Sequence, residues 1–300
     1  MISVVLCTHN PRVDYIDRCL GALHNQTLSR QHWEVLLVDN RSEKPIAGQI
    51  DLSWHDRTKI IREDNPGLTA ARLCAIRESL GDLLVFVDDD NVLDPDFLAV
   101  AQRTMEEKPF LGSWSGQCRP EFEMSPPDWT RRYWGNLVIR EFDRDVWSNL
   151  PRLPESMPCG AGLCVRREVA LRYLDLHESG KRPLGFDRNG KSLLSGGDND
   201  LAACACDIGL GVGLIASLRL THLISSERLT EEYLARLCEG IFCSAVLLDH
   251  FRSPTGVANL YKIRWHEPIR ALLSSGPHRK MQFASLRGRR RGLALIASLN

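Results

Sequence analysis

The sequence predicts an α/β protein with a mostly parallel central sheet and helices on both of its faces. Short apolar runs rich in β-branched residues alternate with segments of helical periodicity, which is the pattern of parallel strands joined by helices. Polar residues follow these runs at the edge where open α/β sheets bind ligands. The composition, with 43% hydrophobic and 25% charged residues in a chain of 300, is that of an ordinary globular protein with a sizeable core.

The first hundred residues give the clearest pattern of elements. Apolar runs predict four strands, at residues 2–7, 34–39, 58–62 and 83–88. Asp14 can cap a first helix, and residues 68–80 have the apolar spacing of a second helix. Strands and helices that alternate in this way indicate parallel pairing, because each helix carries the chain back to the start of the next strand.

The chain beyond residue 110 is less regular. Residues 114–158 are rich in Trp, Pro and Arg, and we expect them to form a long excursion over the sheet or a partly ordered loop. Regular patterning then returns, with strands predicted at 160–166, 212–215 and 218–222 and helices at 168–176 and after Gly197. From about Thr230 onward the apolar spacing is helical, so the chain is expected to end in a helical extension.

Three consecutive carboxylates, Asp88, Asp89 and Asp90, end the most apolar of the predicted strands. Their charges repel one another, and a divalent cation would relieve this, since cations such as Mg²⁺ bind carboxylate oxygens and often share phosphate ligands. Capping of the next helix is the alternative role, but Asp94 and Pro95 already provide a helix start. The triplet therefore indicates a metal, with a bound phosphate, at the carboxyl end of a central strand.

Other polar residues stand at the ends of the neighbouring strands. Thr8 and Asn10 follow the first strand, Asp39 ends the second, and Asn65 and Gly67 follow the third. Ordinary turn chemistry would explain each of them taken singly. Because the carboxyl ends of parallel strands meet at one edge of the sheet, we expect these side chains to share a cleft with the Asp triplet.

The order of these motifs resembles the nucleotide-sugar-binding half of glycosyltransferase family 2. The motifs are T-x-N at 8–10, V-D-N-x-S at 38–42, N-x-G-x-x-x-A-R at 65–72 and V-D-D-D at 87–90. The resemblance implies a GT-A fold, in which a Rossmann-like region that binds the nucleotide sugar is joined to an acceptor region. It also implies a UDP-, GDP- or dTDP-sugar as donor and Mg²⁺ or Mn²⁺ as cofactor.

The same resemblance predicts how the chain is divided. The GT-A domain would comprise residues 1–225, with 1–110 binding the nucleotide sugar and 111–225 forming the acceptor region. Residues 226–300 would be a C-terminal helical extension.

Carried over position by position, the resemblance assigns several residues to the nucleoside and the sugar. Thr8 and Asn10 would lie against the nucleoside, and Asp39 would contact the base. The segment from Asn65 to Gly67, supported by Arg72, would flank the nucleotide sugar.

The Asp triplet would hold the remainder of the donor and the metal. Asp88 would contact the ribose or the donor sugar, Asp90 would ligate the metal on the diphosphate, and Asp89 could do either. His222 follows the last short strand and would complete the metal shell, as a histidine does in related GT-A enzymes. A structural or surface role for this lone histidine is the alternative.

A second acidic element follows a glycine-rich turn. Residues 197–201, Gly-Asp-Asn-Asp-Leu, resemble the family's E-D-x-[DE]-L element, whose second acid is the catalytic base. By that match the base is Asp198, although Gly197 stands where the first acid usually is. Asp200 remains an alternative, since both acids could cap the same helix. A helix N-terminus favours an ionised carboxylate, which suits a base that deprotonates a sugar hydroxyl.

These features predict an inverting, metal-dependent glycosyltransferase of polysaccharide or glycoconjugate biosynthesis. A sugar-nucleotide pyrophosphorylase is an alternative, but such an enzyme opens with a Gly/Arg-rich phosphate loop, which residues 8–11 do not form. A non-catalytic sugar-nucleotide-binding protein would have no use for the acidic element at 197–201. Nucleic acid is not an expected partner, because the formal net charge is zero and the basic cluster at 287–291 lacks interleaved aromatics.

The expected location is the cytoplasm, with peripheral contact at the inner face of the membrane. The ten cysteines lie within apolar patterns, which indicates buried, reduced thiols, and no apolar run approaches the ~20 residues that span a bilayer. Basic residues at 279–291 precede an apolar tail, and such a helix could bind anionic lipid, where a lipid-linked acceptor would be found. A saccharide is the other expected acceptor, and a solvated basic face on a docked helix is the alternative interpretation of the tail.

Overall fold

The computed structural model describes residues 1–151, 154–183, 187–188, 193–253 and 255–298. The first part of the chain contains, in order, β1 (Ile2–Thr8), α1 (Val13–His24), β2 (Trp33–Asp39), β3 (Thr58–Arg62), α2 (Leu68–Glu78), β4 (Leu83–Asp88), β5 (Asn91–Leu93) and α3 (Phe97–Glu107). β1 pairs in parallel with β2 on one side and β4 on the other, and β3 pairs in parallel with β2. β1 and most of β2 and β4 are buried on both faces, which is why they could be predicted from continuous apolar runs.

The second part extends the same sheet and then leaves it. Its elements are β6 (Leu111–Phe122), β7 (Val146–Ser148), β8 (Leu163–Arg166), α4 (Arg167–Glu178), α5 (Gly197–Asp207), β9 (Gly211–Ile224), α6 (Glu231–Arg252), α7 (Val257–Leu260), α8 (His266–Leu273) and α9 (Gly276–Ala297). The strand order is β3-β2-β1-β4-β8-β6-β9-β5, and β7 also pairs with β9. β8 is antiparallel to both of its neighbours, whereas β6 and β9 are parallel to each other.

The predicted α/β architecture is confirmed, and parallel ladders contain most of the paired residues. Two details of the prediction were wrong. The expected excursion at 114–158 begins within the twelve-residue strand β6, and the two short strands expected at 212–215 and 218–222 are a single strand, β9.

Buried polar residues explain why β6 was not predicted from the pattern of apolar residues. Ser113, Ser115 and Gln117 interrupt its apolar residues, yet the two serines are fully buried and Gln117 is nearly so. The Ser113 hydroxyl donates to the carbonyl of Ala202 at 2.8 Å, and the Gln117 amide donates to the carbonyl of Ala216 at 2.7 Å. Because hydrogen bonds satisfy these groups, the strand tolerates them in the core.

The C-terminal helices pack as a unit in which α9 lies along α6. Gly288 and Gly292 allow this close approach, since a Cβ at Gly288 would lie 2.3 Å from the Glu239 carbonyl oxygen and one at Gly292 would lie 2.6 Å from Cβ of Val246. The predicted division at residue 225 falls just after β9, where the chain leaves the sheet. Over the described ranges, no helix is long and apolar enough to cross a membrane.

Candidate active site

The carboxyl ends of β1, β2 and β4 bring the predicted strand-end residues to one edge of the sheet. The ladders align Thr8 with Asp39 and Cys7 with Asp88, so the three strands end side by side, with Asp88 on the opposite face of the sheet from Thr8 and Asp39. Next to this edge lies a cavity of about 640 Å³, which is within the usual size range of small-ligand sites. Asp88 lines this cavity from the first half of the chain and Asp198 lines it from the second.

Asp90 is buried, Asp88 and Asp89 are half-buried, and each carboxylate has a different environment. Asp89 accepts a hydrogen bond from the Thr8 hydroxyl, and Asp90 Oδ1 accepts one from the Asn91 amide at 2.8 Å. Burial and the neighbouring Asp90 charge raise the pKa of both Asp88 and Asp89. Burial also disfavours the charged form of Asp90, but the Arg228 guanidinium opposes this, and the pKa of Asp90 stays below its ordinary value. Of the three carboxylates, Asp90 is thus the one whose ionised form the surroundings favour.

Arg228 connects the two predicted metal ligands. Its Nη2 donates to Asp90 Oδ2 at 2.6 Å, and its Nη1 lies 2.9 Å from His222 Nε2. Because a guanidinium can only donate, Nε2 must offer a lone pair, and the ring proton is then on Nδ1. His222 Nε2 and Asp90 Oδ2 are themselves 3.4 Å apart, and the side chains of both residues are more than nine-tenths buried.

These donor atoms are of the types that bind a divalent cation, but Arg228 would have to move before a cation could reach them. A carboxylate oxygen and an imidazole nitrogen lie 3.4 Å apart, and a diphosphate and water could supply the other ligands. Among the residues that the structure describes, no group of three or more His, Cys, Asp or Glu side chains forms a complete metal site. Arg228 would have to move because its guanidinium contacts the two atoms, Asp90 Oδ2 and His222 Nε2, that would bind the metal.

Asn10 was predicted to lie against the nucleoside and the segment from Asn65 to Gly67 to flank the nucleotide sugar, and they lie in the loops after β1 and β3. Asn10 has a left-handed backbone, with φ of 50°, and its side-chain oxygen accepts from the Glu43 backbone at 2.9 Å. Asn65 is exposed and bonds the Glu63 carboxylate at 2.8 Å. Gly67, with φ of 121°, donates its N–H to Asn40 Oδ1 at 2.8 Å, so Asn40 fixes the start of α2.

Asp39 is buried, unlike Asn10 and Asn65. It is 2% exposed, and its oxygens accept from the backbone of Ser42 at 2.9 Å and of Ile46 at 3.2 Å and from Arg62 Nη1 at 2.9 Å. Burial opposes its ionisation, but these hydrogen bonds and the Arg62 charge keep the pKa of Asp39 below its ordinary value. In this structure Asp39 orders the loop after β2.

Arg72 and Asp198 both line the cavity. Arg72 is buried, and its Nη1 donates to Asp187 Oδ2 at 2.7 Å. A Cβ added at Gly160 would lie 2.9 Å from Asp198 Oδ2 and 3.1 Å from Arg72 Nη2, so the glycine leaves room for both groups. Asp198 Oδ2 accepts the Gly160 N–H at 2.8 Å, and its Oδ1 accepts the Asn199 N–H at 2.9 Å. The carboxylate is thus fixed by backbone donors while it still lines the cavity.

Asp200 has a different environment from Asp198, although the two lie on the same helical turn. It is 0% exposed, with Oδ2 2.9 Å from Arg182 Nε and Oδ1 2.7 Å from Arg252 Nη2. It does not line the cavity that contains Asp198 and Asp88. Asp200 therefore links α5 to the end of α6.

Thr8 thus contacts Asp89, and His222 lies 3.4 Å from Asp90, while Asp88, Arg72 and Asp198 line the adjoining cavity. Asn10, Asn65 and Gly67 lie in the loops after β1 and β3 and are not among the described residues that line this cavity.

Arg228, Asp187 and Asn40 are site residues that were not singled out from the sequence. Asn40 could have been found from its position inside V-D-N-x-S, but the other two stand in segments without a recognisable motif.

The chain belongs to glycosyltransferase family 2, because the model of the family described as "Glycosyl transferase family 2" matches residues 3–169. Among curated proteins, Glycosyltransferase AglE of Haloferax volcanii is 35% identical over 92 residues, which is 30% of this chain and 30% of that protein. Poly(ribitol-phosphate) beta-glucosyltransferase of Bacillus spizizenii is 32% identical over 101 residues, which is 32% of this chain and 16% of that protein. The matches thus span less than a third of each relative's length.

Solved structures show the same fold over nearly the whole chain. Residues 1–349 of S. aureus TarS align with a TM-score of 0.56 and 14% identity, covering 99% of this chain and 91% of that one. Mannosyltransferase PcManGT from Pyrobaculum calidifontis, solved with GDP-Man and Mn²⁺, aligns with a TM-score of 0.56 and 16% identity, covering 100% of this chain and 75% of that one. The expected GT-A fold is confirmed.

Proposed function

We propose that this protein is an inverting glycosyltransferase that moves a sugar from a nucleoside diphosphate sugar to an acceptor hydroxyl. The observation that carries the proposal is that Asp88, from the donor-binding edge of the sheet, and Asp198, from the second half, line one cavity. A binding protein or a pyrophosphorylase would not need a carboxylate fixed by two backbone N–H groups on the far side of the donor.

In this mechanism Asp198 is the base. Each of its oxygens accepts one backbone N–H, from Gly160 or Asn199, so a further lone pair is left to accept the proton of the acceptor hydroxyl. The hydroxyl attacks the anomeric carbon while the nucleoside diphosphate leaves from the opposite face. One base without a protein nucleophile gives inversion at that carbon.

The donor would be held along the strand ends. Thr8 and Asn10 would lie against the nucleoside, Asp39 would contact the base, and the loop from Asn65 to Gly67 would flank the sugar. Arg72, held by Asp187, would support this loop, and Asp88 and Asp89 would contact the ribose or sugar. Structures of the same fold have been solved in complex with UDP, UDP-GlcNAc or GDP-Man, which supports a UDP- or GDP-sugar as the donor. A dTDP-sugar is the third donor class that we propose.

Asp90 and His222 would hold the cofactor, Mg²⁺ or Mn²⁺. When bound, the cation neutralises charge that develops on the departing diphosphate. The mannosyltransferase PcManGT was solved in complex with Mn²⁺, and this supports the choice of cofactor.

The acceptor would reach Asp198 through the cavity, which is closed on one side by α6. A saccharide or a lipid-linked saccharide fits a role in polysaccharide or glycoconjugate biosynthesis, and the name of the poly(ribitol-phosphate) relative supports a polymer product. All ten cysteines are free thiols, which supports a reducing, cytoplasmic location.

A panel of sugar nucleotides with Mg²⁺ or Mn²⁺ tests the proposal directly. Release of nucleoside diphosphate from one donor, stimulated by an acceptor, is the expected result. Formation of pyrophosphate from a sugar phosphate and a nucleoside triphosphate would instead identify a pyrophosphorylase. Donor binding without release or transfer, across the whole panel and with acceptor mixtures, would identify a binding protein.

Replacing Arg228 by Ala should strengthen the binding of Mn²⁺ measured without nucleotide by about tenfold, because two charge-assisted contacts no longer compete with the metal. Titration calorimetry with Mn²⁺ alone measures the effect. Arg236→Ala is the control, since Arg236 is exposed and its closest ion pair, with Glu227, is 3.9 Å long. Unchanged or weaker Mn²⁺ binding by Arg228→Ala would show that the guanidinium does not compete for this site.

A further inference from the structure

Helix α8 has its apolar face turned away from the protein. Trp265 at its N-cap is 81% exposed, Ile269 is 46% exposed, and Leu272 and Leu273 are 59% and 82% exposed. Residues four, seven and eight positions apart share one face of a helix, so these four side chains form a single stripe, here called the α8 stripe. The helix rests on the body through its other side, where Ala271 is fully buried and Glu267 pairs with Arg289 of α9. An amphipathic helix of a globular protein normally buries its apolar face, whereas the apolar face of α8 is exposed.

The charge around the α8 stripe is strongly one-sided. Residues 253–300 contain nine Lys or Arg and a single acidic residue, Glu267, although the formal net charge of the whole chain is zero. Three of the basic residues are neutralised at the helix interfaces, where Lys280 pairs with Glu231, Arg287 with Glu239 and Arg289 with Glu267. Within the described residues no ion pair involves the others, and Arg264 and Arg270 directly flank the stripe.

The apolar part of the C-terminal tail is mostly covered within the described residues. Leu286 and Ile296 on α9 are each 8% exposed, and Ile296 packs in a cluster with Cys243 and Val246 of α6. Leu295 is 37% exposed, and the predicted position Leu299 lies outside the described residues. The described part of the tail therefore offers less exposed apolar surface than α8.

The geometry points to an anionic lipid bilayer as the partner of the α8 stripe. Trp and Leu side chains enter the boundary between headgroups and acyl chains, while Arg and Lys at the same level attract anionic headgroups. A second copy of the chain is a poorer occupant, because it would bring a second unpaired basic surface to the contact. This docking would hold the cavity near a lipid-linked acceptor, and in that respect it rests on the proposed function. Bilayer binding itself requires no sugar transfer.

Co-sedimentation with vesicles tests the inference on the full chain. The variant is Trp265→Ser combined with Leu273→Ser, and the control is Leu80→Ser, at a position that is 72% exposed but far from α8 in the sequence. With vesicles of phosphatidylcholine containing about one-third phosphatidylglycerol, the wild type and the control should bind, and binding of the double variant should fall about tenfold or more. Binding of the wild type should weaken with pure phosphatidylcholine and with added salt.

Three outcomes would overturn the inference. They are wild-type protein that does not bind the anionic vesicles, a double variant that binds like the wild type, and a wild-type dimer in sedimentation velocity that the double variant converts to monomer. Circular dichroism of the double variant checks that it is folded, and a folded result is expected because both side chains are largely exposed. Since sedimentation needs no donor, a negative result here is separate from failure of the transferase assay.

Discussion

Replacing Asp198 by Asn should lower the rate of sugar transfer by about a thousandfold or more while leaving donor binding nearly unchanged. The amide has the shape of the carboxylate, and its oxygen can still accept the Gly160 N–H, which is now 2.8 Å from Oδ2. It cannot accept a proton from the acceptor hydroxyl. The loss should therefore appear in kcat and not in the dissociation constant of the donor.

Single-turnover transfer and donor titration, done on the same preparation, separate these two quantities. Asp175→Asn is the matched control, because Asp175 is exposed on α4 and pairs with Arg172 within its own helix. Transfer at the wild-type rate by Asp198→Asn would remove Asp198 as the base. Loss of donor binding in this variant would instead move Asp198 into the donor site.

The donor edge could be predicted because its residues are fixed by local features of the chain. An apolar run followed directly by a polar motif defines both the strand and the place where it ends. Parallel pairing then brings Thr8, Asp39 and Asp88 together without any further information. The buried strands carry the signal, so their ends were found to within a residue or two.

The contacts that complete the site could not be predicted in this way. Arg72 meets Asp187 across 115 positions, and Arg228 meets Asp90 across 138, and the partners Asp187 and Arg228 stand in segments that carry no periodic pattern of their own. Such pairs depend on how α2, the end of β9 and the segment before α5 are positioned by the complete fold. A single sequence does not show which residues that are distant along the chain lie close together in the fold.

The choice between Asp198 and Asp200 shows the same limit at a smaller scale. Both acids lie in the first turn of α5 and either could cap it, so sequence spacing treats them alike. Two positions along a helix correspond to about 200° of rotation, and the two side chains therefore point to opposite sides. Asp198 faces the cavity, whereas Asp200 faces Arg182 and Arg252 in the interior.

Replacing Asp200 by Asn should destabilise the fold by about 3–5 kcal/mol, since the change leaves the buried Arg182 guanidinium without a counter-charge and removes one of the two carboxylates beside Arg252. The side chains of Asp200, Arg182 and Arg252 are 0%, 7% and 5% exposed, so water cannot take the place of the lost carboxylate. Arg252 keeps a second acidic partner, Asp207 at 2.9 Å, whereas Asp200 is the acidic partner of Arg182 within the described residues. The contact between α5 and the segment at 182 should therefore be the first to loosen.

Urea unfolding of Asp200→Asn and Asp198→Asn side by side measures this difference. Asp200→Asn should unfold at a clearly lower urea concentration, whereas Asp198→Asn should unfold near the wild-type midpoint because its carboxylate is only half-buried and has no arginine hydrogen-bonded to it within the described residues. A stable Asp200→Asn that has lost transfer would make Asp200 the base and contradict the assignment of roles on α5. We therefore expect Asp200→Asn to lose stability and Asp198→Asn to lose turnover, because this helical turn presents Asp200 to the core and Asp198 to the substrate.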